Sequence, residues 1–346
     1  MSVTLKDIAE ELNLSATAVS RALRNMPDIG PDTTKLVQET AERLGYRKNL
    51  AASYLKTAKS MMFGIIVPDI CNPVFSHMYK GIEEKCKKKQ YALMLSSSNE
   101  SSEQETSMID KMVAHGVDGL FIVPSNESDA YYPQLDNANI PYVILQRTNA
   151  SKSPFLIKSN DYEGGYMAAE YLYGLGHRSF LLVFADMKIS SAKERYNGFK
   201  DFLNDKNIPE SNIQLLQRCI TRSEGYQATK QWLSEQTSIQ ELSATAIFCF
   251  SDYIAYGVYS ALSESGLKIP DDISVVGYDN NEYSDIIYPA LTTIDLLPYE
   301  IGTHSAKLML NIIHGDSSQS NKYPQQNVLS PKLTIRNSTK ALTDHI

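Results

Sequence analysis

Residues 3–60 read VTLKDIAEELNLSATAVSRALRNMPDIGPDTTKLVQETAERLGYRKNLAASYLKTAKS. Apolar residues fall at Leu5, Ile8, Ala9 and Leu12, the i, i+3, i+4, i+7 stripe of an amphipathic helix. Asn13 ends the stripe, Leu14 fills the corner, and Ser15 is placed to cap a second helix whose inward side reads Ala18, Val19, Ala22 and Leu23. A third helix, from about Pro31 to Leu44, opens with proline in its first turn, turns Leu36, Val37, Thr40, Ala41 and Leu44 inward, and stops at Gly45. Two short helices joined by a tight turn form a helix-turn-helix. Such a unit sends the outward side chains near the start of its second helix, here Ala16, Thr17 and Arg21, toward base edges in a major groove, while the first helix crosses the phosphates.

The charge is split along the chain. Residues 1–60 hold nine Lys/Arg against seven Asp/Glu, net +2, whereas the 346-residue chain carries -7, which leaves -9 on residues 61–346. Phosphate-seeking charge is thus concentrated at the amino end.

The run Thr4-x-Lys-Asp-Ile-Ala, the Ser15-x-x-x-Val-Ser-Arg-Ala-Leu segment and the Leu44-Gly-Tyr that closes the third helix resemble the lactose/galactose repressor family of bacterial transcription factors. The resemblance implies that Thr17 and Arg21 read bases and that Ser15, Ser20 and Arg24 face phosphates. It also implies that Asn49 to Thr57 folds into a hinge helix on DNA with Leu55 as its minor-groove wedge. Thr4, Ala16, Asn49 and Ala52 complete the implied DNA-facing set. Arginine can pair in bidentate fashion with guanine, and an inserted leucine can unstack a base step. Lys48 stands where the family commonly has proline, so it either loosens the start of the hinge helix or adds a phosphate contact.

The length suits a small head with one or two larger domains. No leader pattern and no run of about 18 apolar residues is present, so secretion and membrane spanning are not expected, and the bacterial cytoplasm, at the nucleoid, is the default. Cys71, Cys86, Cys219 and Cys249 are scattered, with no C-x-x-C pair, and read as small buried hydrophobes. The six histidines show no ligand spacing, so no metal and no cofactor is expected. Trp232 lies in a helical apolar stripe and reads as core.

From Met62 onward, short apolar runs alternate with helical patterns: MFGIIV, Phe75 to Lys89, YALMLS, Glu103 to His115, GLFIV, YVIL. A second set follows Asn160: Tyr162 to Leu175, SFLLVF, Ser191 to Asn207, QLL, Ser223 to Glu235, AIFCF, Asp252 to Ser265, ISVVGY. This βα repeat predicts two doubly wound α/β lobes with parallel sheets. By resemblance they form an effector-binding and dimerisation domain that shares its fold with periplasmic sugar-binding proteins. The expected division is a helix-turn-helix domain over 1–48, a hinge over 49–60, and a two-lobed core over 61–337. Within the core, 61–160 joins 292–320 and 161–291 joins 321–337, and a tail covers 338–346.

Parallel sheets bind ligands at the carboxyl ends of their strands. Those positions offer Asn72, Phe75, Gln146, Arg147, Asn160 and Asp161 from the first lobe and Ser191, Arg195, Ile220, Asp252 and Asp279 from the second. A sugar-like ligand needs multidentate donors and acceptors for its hydroxyls and an apolar face for its ring. The resemblance implies that Arg195 and Asp279 bracket the ligand while Phe75 packs on it. Asp252 reads either as a ligand contact or as support beneath the pocket. Ile220 replaces an aromatic ring-stacker and Gln146 an aspartate of some relatives. Gln146 beside Arg147, with Arg195 and Lys193, makes a sugar acid or sugar phosphate conceivable alongside a neutral sugar.

The expected protein is therefore a repressor of carbohydrate genes, binding a palindromic operator as a homodimer and switched by a small effector. A regulator corepressed by a nucleobase or another metabolite is the alternative, and a solute-binding protein a distant one. No G-x-G-x-x-G follows a predicted strand and no G-x-S-x-G occurs, so neither a dinucleotide enzyme nor a hydrolase is expected, and no catalytic residue is assigned.

Overall fold

The structure, a computed structural model, describes residues 3–47, 59–125, 132–148, 155–238, 242–315 and 326–342. It divides into two compact units, Met1–Ser60 and Met61–Ile346. In the first unit, α1 (Leu5–Leu12) is opened by a capping box in which the Thr4 side chain accepts from the Asp7 N–H and Asp7 accepts in return from that of Thr4. Asn13 takes a left-handed turn at φ 52°, and Ser15 caps α2 (Ala16–Ala22) by accepting the Ala18 N–H at 3.1 Å. α3 (Pro31–Arg43) ends where Gly45 adopts φ +70° and Tyr46 N–H returns to the Ala41 carbonyl.

Ile8, Ala9, Val19, Ala22, Val37 and Ala41 form the small core of this unit. Leu36, expected inside, is 50% exposed, and Ala18 is only half-buried. Each precedes the true inward stripe by one residue, a rotation of about 100° on a helix, and this core has no room for a wider stripe.

The second unit carries two six-stranded sheets. The first lobe contributes β1 (Met62–Val67), α4 (Pro73–Lys87), β2 (Ala92–Ser97), α5 (Ser102–Ala114), β3 (Gly119–Ile122), α6 (Pro133–Asn137), β4 (Tyr142–Leu145) and β5 (Leu156–Ser159). The second contributes α7 (Asp161–Gly174), β6 (Phe180–Val183), α8 (Ser190–Asp205), β7 (Ile213–Leu216), α9 (Arg222–Ser234), β8 (Ala246–Cys249), α10 (Asp252–Glu264) and β9 (Ser274–Tyr278). After them come β10 (Thr292–Asp295), α11 (Pro298–His314), β11 (Gln326–Leu329) and β12 (Lys332–Thr334).

Sheet one runs β11-β5-β4-β3-β1-β2 with every pair parallel, and sheet two runs β12-β10-β9-β8-β6-β7 with only β12 antiparallel. The central strands β3, β6 and β8 are buried along their whole length, as strands covered on both faces must be.

The closing segments differ from expectation. β10 belongs to sheet two beside β9 rather than to the first lobe, and β11 joins sheet one beside β5 rather than the second. Only α11, packed on α4, and β12 fall where expected. Pairing is what sets the lobe: β10 pairs with the nearby β9, Thr292 beside Val276, whereas β11 pairs with the distant β5, Gln326 beside Leu156. Residues 338–342 are not a free tail: Ser338 is fully buried and donates to the Val275 carbonyl at 2.6 Å, and Leu342 N–H donates to the Leu175 carbonyl. α6 fills the segment before YVIL, and β5, whose four residues include Lys158 and Ser159, did not stand out as an apolar run. Cys71 is exposed, whereas Cys86, Cys219 and Cys249 are buried as expected. Trp232 is buried with its indole N–H on Gln214 at 2.7 Å.

One contact in the second lobe sets the geometry of its cleft. α7 and α8 approach so closely that a side chain at Gly165 would overlap the Arg195 carbonyl oxygen, and one at Gly198 would overlap that of Tyr162. The two glycines bring the start of α7 against the first turns of α8. Replacing Gly165 with alanine should therefore destabilise the protein by about 1–3 kcal/mol through overpacking, measured by urea unfolding; an unchanged midpoint would contradict the crossing.

Candidate functional site

The α7–α8 crossing carries Asp161 and Arg195 side by side. Asp161 is the first residue of α7 and is 0% exposed, and Arg195, 2% exposed, donates from Nε to its Oδ1 at 2.8 Å. The Arg195 Nη1 donates to the Phe250 carbonyl at the end of β8 and lies 3.7 Å from the Asp279 carboxylate at the end of β9. Its guanidinium carbon stands 3.5 Å over the Tyr278 ring and 4.6 Å from that of Phe250. Burial opposes the charge on Arg195, but Asp161, Tyr278 and Asp279 outweigh it and hold the guanidinium pKa above its ordinary value. Burial likewise pushes the Asp279 carboxyl well above the ordinary carboxylate range, and Arg195 pulls against that shift.

The first lobe reaches this cluster through Gln146, the residue after β4. Its Nε2 donates to both Asp161 oxygens, at 3.2 and 3.0 Å, and its Oε1 accepts the Ser159 N–H at 3.1 Å. Two further contacts join the lobes: Thr148 N–H donates to Ser190 Oγ at 2.8 Å, and Lys158 pairs with Glu194 on α8. Gln146 and Asp279 both hold positive φ, 56° and 108°. Neither is glycine, so each carries backbone strain of order 1–3 kcal/mol of the kind that gathers at functional positions.

The other expected site residues fall at the same carboxyl ends. Asn72 caps α4 by accepting the Val74 N–H at 3.2 Å, and Phe75 follows in its first turn, 6% exposed. Asn160 caps α7 by accepting the Glu163 N–H at 3.2 Å. Ser191 is buried at the start of α8, but the neighbouring Ser190 makes the contact to the first lobe. Ile220 is half-buried in the loop before α9.

Two of the expected residues are engaged by the protein itself. Arg147, expected at the ligand, forms a two-pronged pair with Glu100, at 2.7 and 2.9 Å, and also donates to the carbonyls of Pro124 and Ser125. Asp252 is 0% exposed and accepts from the Asn281 N–H at 2.8 Å, Ser284 Oγ at 2.6 Å and Thr293 Oγ1 at 2.6 Å, the arrangement its supporting reading calls for. It thereby pins the loop that begins at Asp279. Burial raises its pKa to about 6, with Ser284 and Thr293 pulling it down.

Sequence reasoning missed Tyr278, Phe250, Ser190 and Glu100. Tyr278 had a signal, since it sits in the same V-G-Y-D-N run as Asp279; Glu100 had none, because its partner is 47 residues away.

In the head, Thr17 and Arg24 are exposed, Ser20 and Ala16 are half-buried, and Arg21 is held by Asp28 at 2.6 Å. That pairing raises the Arg21 pKa and lowers that of Asp28. Lys48, Asn49, Ala52 and Leu55 lie outside the described residues. Among the described residues no helix is long and apolar enough to cross a membrane, and no group of three metal-ligating side chains occurs.

A helix-turn-helix unit followed by a two-lobed parallel-sheet core with a polar cluster between its lobes defines a class of ligand-responsive transcriptional regulators. Residues 4–49 match the profile of bacterial regulatory proteins of the lacI family, and residues 169–339 match a periplasmic binding protein-like domain. The chain is 30% identical over 339 residues to the HTH-type transcriptional repressor PurR of Actinobacillus pleuropneumoniae serotype 3 (strain JL03), covering 98% of this chain and 99% of that one. It is 29% identical over 346 residues to catabolite control protein A of Priestia megaterium, covering 98% and 100%. Among solved structures it is similar to the lac repressor dimer bound to operator and the anti-inducer ONPF (TM-score 0.84, 26% identity, 99% of this chain and 100% of that one). It is also similar to a LacI-family regulator from Enterococcus faecium with bound ribose (TM-score 0.71, 31% identity, 82% and 100%). The chain belongs to the lacI family: it is a transcriptional repressor of that family, and its relatives are regulators, not enzymes.

The buried pair has a direct test. Replacing Arg195 with methionine leaves Asp161 and Asp279 facing each other without a cation, which should cost about 3–5 kcal/mol of unfolding free energy. Adding Asp161→Asn to that variant should recover part of the loss. A single variant as stable as wild type would show that the pair is not what joins α7 to the floor of the cleft.

Proposed function

We propose that this repressor controls carbohydrate-metabolism genes, binds a palindromic operator as a homodimer, and changes its operator affinity when a neutral sugar closes the two lobes. The observation that carries the ligand class is the charge balance of the Gln146–Asp161–Arg195–Asp279 cluster. It holds two carboxylates against one guanidinium, and Arg147, expected nearby together with Lys193, is neutralised by Glu100. An anionic sugar would meet Asp279 with no unpaired cation from this set to offset it. A neutral polyol instead finds carboxylate oxygens that accept from its hydroxyls. The similar Enterococcus faecium regulator, solved with bound ribose, supports this class.

The switch follows from where the cluster sits. Gln146 and Thr148 belong to the first lobe and Asp161, Arg195 and Asp279 to the second, so a ligand held between them has different affinity for open and closed lobes and shifts that equilibrium. Asn49 to Thr57, with Leu55 as its wedge, is the segment we assign to transmitting the shift to DNA. Arg21 exchanges Asp28 for a base edge when the second helix enters the groove.

Calorimetry with neutral pentoses and hexoses, their uronates, sugar phosphates and nucleobases tests the ligand class. Binding by at least one neutral sugar and by none of its uronates is expected; tight binding confined to anionic sugars or to nucleobases would overturn it. For the head, Arg21→Ala should weaken a selected operator by about 1–3 kcal/mol and leave ligand binding intact. Unchanged operator affinity would remove Arg21 from the base-reading set.

A further inference from the structure

The core is acidic, yet it carries a run of lysines at one place. α4 ends with Lys85 and Lys87 in its last turn, Lys88 at its cap and Lys89 beyond it. Lys87, Lys88 and Lys89 are all exposed, and among the described residues none of the three has a carboxylate partner. One or two cations suffice to complement a helix carboxyl end, but this run continues past the end of the helix. Glu83 and Glu84 lie one turn back, and Glu84 is engaged by the Tyr299 hydroxyl at 2.6 Å.

Sheet register fixes where the run stands. β1 and β2 pair in parallel with Met62 beside Ala92, and the Ala92 N–H donates to the Met61 carbonyl at 2.9 Å. The lysines that precede β2 therefore sit at the amino edge of sheet one, next to the first residue of the core. Every expected ligand residue lies at the opposite, carboxyl edge, so the run plays no part in the cleft. The amino edge is where the chain passes from the DNA-reading head into the core. Among the described residues, Asp110, Asp118 and Asp136 also lie toward that edge; Asp118 accepts the Met61 N–H at 3.0 Å, and Lys111 follows Asp110 in sequence.

We infer that Lys87, Lys88 and Lys89 form a second DNA-backbone contact, supplied by the core, which grips phosphates flanking the site read by the head. Residues 61–346 carry -9, so without such a contact the core would repel the duplex that the head holds. Lysine ammoniums contact phosphates as point charges and carry no sequence information, so the run would add affinity uniformly across sequences. The inference rests on the chain being a DNA-binding regulator.

The test uses the full-length protein and a fluorescein-labelled duplex of arbitrary sequence, with anisotropy read across a salt series. The Lys87→Gln, Lys88→Gln, Lys89→Gln triple variant should bind more weakly at low salt. Its log-affinity against log-salt slope should be shallower by about 2.7 for each chain on the duplex, since each of the three phosphate contacts contributes about 0.9 to that slope. A charge-matched control, Lys206→Gln, Lys230→Gln, Lys268→Gln, alters the same net charge on the second lobe and should keep the wild-type slope. An unchanged slope in the first variant, or an equal change in both, would overturn the inference. Wild-type protein that binds no duplex at all would overturn the regulator reading itself and this inference with it.

Discussion

The Asp161–Arg195 pair is the interaction on which the rest of the cleft depends. It forms because Gly165 and Gly198 let α7 and α8 touch backbone to backbone, and it is the point where the first lobe, through Gln146, meets the second. A buried ion pair of this kind is weak evidence for stability, since desolvation offsets much of the attraction. Its value here is geometric. It fixes the guanidinium over Tyr278, aims it at Asp279, and gives each group a defined protein partner.

Asp252 adds a second level of support. By accepting from Asn281, Ser284 and Thr293, it ties the start and the end of the loop between β9 and β10, so that Asp279 is held at φ 108° rather than relaxing. The strained Asp279 and the strained Gln146 thus face the same guanidinium neighbourhood from two lobes. A ligand that bridges them acts on the contacts that already link the lobes, which is the arrangement a population shift requires.

Much of this was legible in the sequence, and the limits were physical. Helix boundaries in the head followed from local signals, Thr4 and Ser15 as caps and Gly45 as a stop, because capping is decided within a few residues. Alternating apolar runs gave the two parallel sheets for the same reason. The ownership of β10 and β11 was not legible, since the partners of β11 are about 170 residues away. The fate of Arg147 was equally hidden: nothing near VILQR announces Glu100, and an arginine at a strand end reads as a ligand contact until its partner is seen. Asp252 illustrates the middle case: its place at the strand end was legible, but its partners Asn281, Ser284 and Thr293 lie 29 to 41 residues away.

The central claim is that a ligand bound between the lobes sets affinity for DNA through Arg195 and Asp161. The most direct measurement is the affinity for an operator chosen by in vitro selection, taken with and without the bound sugar, for wild type and for Arg195→Lys. The account predicts that the sugar shifts wild-type affinity at least several-fold, in either direction, while the variant binds the operator as well as unliganded wild type and does not respond. A variant that responds as wild type does would contradict it.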